Sequence, residues 1–166
     1  MTLASPAANG PTPSKSRLLT QHTGYRLIKL GELTLDIAEE ALAPLDLRAR
    51  HFNVMAMVAA DGTLSQQNLS ALLGLDPTIM VALVDDLERE GLLQRERSQQ
   101  DRRRYVLELT PAGQRTLKRA FSAIEKAESK LLAPLSRQEA DTLQELTGRL
   151  LARAEPSAPG RTASDN

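Results

Sequence analysis

Between about Leu18 and Leu42, Leu27, Leu30, Thr34, Ile37 and Ala41 recur at steps of three and four, the spacing of one helix face. Pro44 ends the pattern, since proline has no amide hydrogen to give a continuing helix. From Arg48 to Ala60 the same period returns, with Phe52, Met55 and Val58 or Ala59 on one face, and Asp61-Gly62 closes it with a turn signal. Ser65 is a suitable N-cap for a short third helix, Gln66 to Leu73, and Gly74 stands where a left-handed C-terminal cap is needed. Asp76-Pro77 opens a fourth helix with a capping carboxylate and a proline whose missing N–H costs nothing at that position. Ile79, Leu83 and Leu87 are predicted as its buried stripe, and Gly91 ends it as Gly74 ended the third.

The period then changes. Leu92 to Arg97 and Arg104 to Leu109 are predicted strands. The second alternates, with Tyr105, Leu107 and Leu109 inward and Arg104, Val106 and Glu108 outward, and polar Ser98 to Arg103 joins the two as a hairpin. Thr110-Pro111 starts a long helix to about Leu132, which Pro134 breaks. Ser136 with Glu139 forms a capping box for a last helix through Leu143, Leu146 and Leu150. The predicted fold is mainly α: a winged helix-turn-helix lobe, about 47–110, with a two-stranded β wing. Flanking helices, about 18–43 and 111–153, complete one domain over 17–153. Pro-, Ser- and Ala-rich 1–16 and the similar 154–166 are expected to be disordered tails.

Composition narrows the chemistry. The chain has 166 residues and no cysteine, so disulfides, thiolate metal sites and thiol-based sensing are excluded. With only His22 and His51, a metal site of several imidazoles is implausible within one chain, and no cofactor is expected. No apolar run is long enough to span a bilayer and Met1 to Ser16 lacks the apolar segment of a secretory signal. The expected compartment is the cytoplasm, with no membrane partner. Lys+Arg and Asp+Glu both total 21, so attraction to nucleic acid must come from local charge rather than from the whole molecule.

Local charge is present where the fold would use it. A major groove about 12 Å wide admits one α-helix, and a helix-turn-helix holds its second helix forward for that purpose. The first half of that helix presents Pro77, Thr78, Ile79, Val81 and Ala82. Thr78 is its polar reader, Ile79 and Ala82 are suited to a thymine methyl, and Ser65, Gln66 and Gln67 lie within reach of phosphate or base edges. On the wing, Arg95, Arg97, Arg102, Arg103 and Arg104 crowd one short stretch against Glu96 and Asp101. Arginine at a loop tip suits a narrow minor groove or a phosphate. The plain alternative for each feature is an ordinary three-helix core and a solvated charged loop.

Several motifs stand in one order: Ser65-Gln66-Gln67-Asn68-Leu69, Leu72-Leu73-Gly74-Leu75-Asp76, Leu83 to Leu92, Asp101-Arg102-Arg103, and Leu109-Thr110-Pro111-Ala112-Gly113. Together they resemble the MarR family, the multiple-antibiotic-resistance-type regulators, over roughly Thr23 to Arg153. The resemblance implies a homodimer whose terminal helices interlock around a two-fold axis. Each protomer would place its fourth helix in a major groove and its wing in a flanking minor groove of double-stranded DNA with a pseudo-palindromic operator. It implies that Asp101 braces an arginine and that one arginine, Arg103 first, reaches the minor groove. It also implies repression of a nearby gene and release by a small phenolic or other aromatic anion. Pro77 and Ala82 depart from the family pattern, which often has arginine or another polar residue there, so arginine–guanine readout is not expected from this helix.

For the effector, Tyr25, Arg26, Arg48, His51 and Phe52 are the candidate pocket residues, an arginine being the natural partner of a carboxylate. For His51 the plainer reading is a packed histidine bonded to a neighbour. The absence of tryptophan argues against the urate-responsive branch of the resembled family. Single-stranded nucleic acid binding needs aromatic platforms, and Tyr25, Phe52, Tyr105 and Phe121 are too scattered to supply them. No phosphate loop, nucleophile elbow or paired-histidine motif points to an enzyme. Asp85, Asp86 and Glu88 fan over more than one helix face. The competing reading is a winged-helix module used only for protein contacts. Leu131, Leu132, Leu135, Leu143, Leu146, Leu150 and Leu151 crowd the C-terminal end, more apolar surface than one protomer is expected to cover, and predict a homodimer.

Overall fold

All eight predicted elements, six helices and two strands, recur in the predicted order in a computed structural model that describes residues 19–97 and 105–154. Helix α1 spans Thr23–Leu42 and runs into a short 3-10 turn, Ala43–Leu45, that contains Pro44. Asp46 then takes a left-handed conformation, φ 55°, which a short polar side chain tolerates. Helix α2 is Ala49–Ala60, α3 is Gln66–Leu73 and α4 is Pro77–Arg89. Strands β1, Leu93–Arg97, and β2, Tyr105–Leu109, pair antiparallel, with Leu93 opposite Leu109 and Arg97 opposite Tyr105. Helix α5 is Pro111–Leu131 and α6 is Arg137–Ala154. The segments 1–18, 98–104 and 155–166 lie outside the described residues, so both predicted tails and the hairpin tip do too.

The helix ends form where the caps were predicted. Ser65 Oγ accepts the Asn68 amide at 3.2 Å, and Asn68 Oδ1 accepts the Ser65 amide at 3.1 Å, a reciprocal capping box. Gly74 (φ 61°) and Gly91 (φ 67°) both end their helices in the left-handed region. At Gly74 the Leu75 amide reaches back to the Ser70 carbonyl and the Gly74 amide to that of Ala71. At Gly91 the same pair runs from Leu92 to Leu87 and from Gly91 to Glu88. These are Schellman bonds, which satisfy carbonyls that the last helical turn leaves open. One cap was not legible locally: Glu39 on α1 accepts the Ala49 amide at 3.1 Å and so caps α2 from ten residues upstream.

The chain divides into two compact units, residues 1–127 and 128–166. In the first, Leu42, Leu47, Val54, Met55, Val58, Leu69, Met80, Leu83, Val84, Leu87, Leu93, Leu107 and Leu117 form one buried cluster. The amide of Leu107 on β2 donates to the carbonyl of Leu64 at 3.2 Å, which ties the wing to the segment leading into α3. Two expectations are corrected here. The buried stripe of α4 is Met80, Leu83, Val84 and Leu87, while Ile79 is 40% exposed. Tyr105 is not inward: it is 53% exposed at the strand end, with the Arg97 guanidinium 6.0 Å from its ring centroid. In the second unit Ser136 and Glu139 form the expected box, the Glu139 amide donating to Ser136 Oγ at 3.3 Å and the Ser136 amide to Glu139 Oε2 at 2.8 Å.

Candidate nucleic-acid interface

Between α3 and α4 the chain bends by 118°, within the range of a helix-turn-helix. The bend follows from the two caps at its centre. Gly74 turns the chain out of α3, and Asp76 Oδ1 accepts the Thr78 amide at 2.7 Å to start α4. The Thr78 backbone bond, followed by its hydroxyl, holds the Asp76 carboxyl below its ordinary value of 3.8. A carboxyl lowered on folding contributes stability above the ordinary value and loses it only as acid takes the pH through the lowered one. The cap is therefore fully formed at neutral pH.

Beyond that cap, α4 buries one side in the core and presents the other. Pro77, Thr78, Ile79, Val81, Ala82 and Asp85 are exposed. Gln67 is exposed beside them on α3, while Ser65 and Gln66 are half-buried. Ser65 is occupied as a cap, and Gln66 Oε1 accepts Arg95 Nε at 3.4 Å. Asp101, Arg102, Arg103 and Arg104 lie outside the described residues. Arg97 is exposed on β1.

Arg95, expected among the wing's DNA-contacting arginines, is instead engaged within the lobe. Its Nη2 bonds Asp85 Oδ1 at 2.6 Å, its Nη1 bonds Glu88 Oε2, and its amide donates to Glu88 Oε1 at 3.0 Å. Three elements, α3, α4 and β1, thus meet on one guanidinium, and its side chain is only 28% exposed. The arrangement follows from the strand period. Leu93 and Arg95 share one side of β1, Leu93 is buried, and so Arg95 is directed toward α4 rather than away from it. Asp85 and Glu88 stand one turn apart on α4, the spacing that lets one planar cation meet both.

The effector candidates lie on α1 and at the start of α2. His51 Nδ1 accepts the Arg48 amide at 3.4 Å, and its Nε2 lies 3.8 Å from Asp86 Oδ2, so α2 and α4 meet there. Asp86 also holds Arg89 at 2.6 Å. Phe52 makes an edge-to-face contact with Phe121 of α5, ring centroids 5.0 Å apart. Tyr25 is half-buried and Arg26 exposed on α1, where Arg26 bonds the Thr20 carbonyl. An open apolar cavity of about 320 Å³ lies against Ala59, Leu109, Gln114, Leu117, Lys118 and Phe121. It meets the predicted set only through the partner ring of Phe52. Among the described residues no cluster of His, Asp or Glu is placed to hold a metal ion, and no single helix is long and apolar enough to cross a membrane.

Comparison with known proteins agrees with this geometry. The MarR family model matches residues 47–105, from just before α2 through the helix-turn-helix to the first residue of β2. Transcriptional repressor MprA of Escherichia coli (strain K12) is 31% identical over 140 residues, covering 79% of this chain and 80% of its own. A Thauera aromatica protein provisionally named a transcriptional regulatory protein for the hcr operon is 35% identical over 99 residues, 60% of each chain. Among solved structures, the transcriptional repressor CouR bound to a 23-mer DNA duplex superimposes with TM-score 0.76 at 29% identity, covering 84% of this chain and 99% of that one. CouR from Rhodococcus jostii RHA1 bound to p-coumaroyl-CoA gives TM-score 0.75 at 26% identity, with 86% and 98% covered. The chain belongs to the MarR family and is a winged-helix, non-enzymatic transcriptional regulator.

Proposed function

We propose that this regulator acts as a homodimer in the cytoplasm, binds a pseudo-palindromic operator in double-stranded DNA, and represses until a small aromatic or anionic ligand releases it. One observation carries the DNA-binding part. The N-terminal half of α4 is exposed along one side, fixed along the other by the core, and set beside a braced two-stranded wing. Exposed Pro77, Thr78, Ile79 and Ala82 of α4, with Gln67 beside them, form the major-groove surface. Ser65 and Gln66 support its edge, and Arg97, Arg102, Arg103 and Arg104 supply the wing's positive charge. Asp101 braces the wing tip, and Arg103 enters the minor groove. Support for repression and release comes from relatives: MprA is named a repressor, and CouR has been seen both on DNA and with p-coumaroyl-CoA.

The dimer has its own support. Along α1, Leu27, Ile28, Leu30, Leu33 and Leu35 are 42–62% exposed, and on α6 Leu146, Leu150 and Leu151 are 48–67% exposed. Apolar surface of this extent is covered by a second copy more readily than left in water. Tyr25, Arg26, Arg48, His51 and Phe52 are the proposed effector contacts. A ligand acts if it binds more tightly to a dimer whose lobes are mis-spaced for the groove, and about 1–3 kcal/mol of coupling is enough.

Selection of bound sequences from randomised duplex at two salt concentrations, with Arg103→Ala alongside, tests the reading. The expected result is an inverted repeat with half-sites about 34–36 Å apart, bound more weakly in high salt and by the variant. Recovery of no sequence, with wild type and variant retained equally, contradicts it and favours a role in protein contacts.

A further inference from the structure

Of the first nine residues of α4, six are exposed: Pro77, Thr78, Ile79, Val81, Ala82 and Asp85. Their chemistry is one-sided. Proline, isoleucine, valine and alanine offer only carbon to a base edge. Asp85 offers a carboxylate, and its Oδ1 is already held by Arg95 at 2.6 Å. The Thr78 hydroxyl is the single side-chain donor among the six. No Arg, Lys, Asn or Gln occurs on α4 before Arg89, and Arg89 is at the far end, bound to Asp86 at 2.6 Å.

Reading guanine in the major groove takes donors aimed at its N7 and O6, and reading adenine takes a side-chain amide. This face has no guanidinium, ammonium or side-chain amide, and the Thr78 hydroxyl is its one side-chain donor. It has two large apolar side chains, Ile79 and Val81, kept 40% and 45% exposed at the start of a helix whose other side is fully packed. The one apolar group on a major-groove edge is the C5 methyl of thymine. We infer that α4 discriminates bases through pyrimidine methyl groups: the operator positions beneath it are thymines packed against Ile79, Val81 and Ala82. This inference rests on the DNA-binding reading of the same face and adds which chemical group that face recognises. Burial of methyls on a face short of donors also assigns phosphate attraction to the wing, where the arginines are.

The test uses the full-length protein and the duplex recovered by selection. Each thymine is replaced in turn by deoxyuracil, which removes only the methyl, and each guanine by 7-deazaguanine, which removes only the N7 acceptor. Uracil at thymines beneath α4 is expected to weaken binding about fourfold each, the cost of leaving one methyl unburied. Deazaguanine there is expected to leave binding within about twofold, since no N7 contact exists to lose. Ile79→Ala, at an exposed position where folding is not at risk, should make one of the uracil effects disappear. An operator indifferent to uracil, or a loss of about tenfold on removing an N7 beneath α4, would overturn the methyl reading while leaving DNA binding intact. Recovery of no operator at all would overturn both.

Discussion

Gly113→Ala is expected to cost about 3 kcal/mol of folding stability or more, the upper range for overpacking a filled site. A Cβ at that position would stand 2.0 Å from the carbonyl oxygen of Leu92 and 2.9 Å from its carbonyl carbon. Backbone cannot swing aside as the tip of a flexible side chain does. The backbone here is also tied down from several directions. Leu92 O accepts the Thr110 amide at 3.1 Å, Thr110 Oγ1 donates to Gly91 O at 2.6 Å, and the Gly113 amide donates to Thr110 Oγ1 at 3.0 Å. The end of α4, the start of β1, the end of β2 and the first turn of α5 therefore meet at one knot, and glycine is the residue that lets α5 approach. Urea unfolding at fixed protomer concentration measures the effect. Gly31→Ala is the control: Gly31 lies inside α1 with open space where its Cβ would go. That change should be neutral or stabilising by about 0.5–1 kcal/mol in a helix interior. Equal midpoints for the two variants would contradict the close approach.

Arg95→Ala is expected to weaken DNA binding by about tenfold or more, a difference of about 1.4 kcal/mol or more. It should also lower stability by about 1–3 kcal/mol, the cost of leaving a partly buried polar group unpaired. Without the guanidinium, Glu88, whose side chain is 27% exposed, has no cation, and Asp85 turns an uncompensated charge toward phosphate. The wing also loses the guanidinium's bonds to α3 and α4. Arg95→Lys should recover only part of the loss, because an ammonium cannot bridge two carboxylates as a planar fork does. The slope of binding against salt separates bracing from contact. A phosphate-contacting arginine lowers that slope by about one unit when removed. Arg95→Ala should leave it unchanged, whereas Arg103→Ala should lower it. A one-unit fall for Arg95→Ala would mean that Arg95 leaves its acidic partners to bind phosphate.

Why some features were legible and others not comes down to range. Ser65, Gly74, Asp76-Pro77 and Gly91 act on amides and carbonyls within a turn of themselves, so the helix-turn-helix could be placed from them alone. The stripe of α4 was misplaced because Ile79 and Met80 are adjacent and both apolar. Steps of four from Ile79 drift around the helix, whereas Met80, Leu83, Val84 and Leu87 stay on one side. Arg95 counted as one more wing cation because its partners are seven and ten residues away on another element. The strand period that buries Leu93 would have turned it toward Asp85 and Glu88. Glu39 capping α2 and Leu64 pairing with Leu107 are tertiary events with no local signature. Gly113 was visible as part of a family motif, but its reason, the Leu92 carbonyl, appears only when the chain is folded.

The most direct test of a two-fold DNA-binding regulator is sedimentation velocity, first of the protein alone and then with a labelled duplex carrying the selected inverted repeat. The account predicts a species of twice the 18.1 kDa chain mass without DNA, and one such dimer on each duplex. A monomer that persists at micromolar concentration and binds half-sites independently, or a protein that leaves the duplex sedimenting alone, would contradict it.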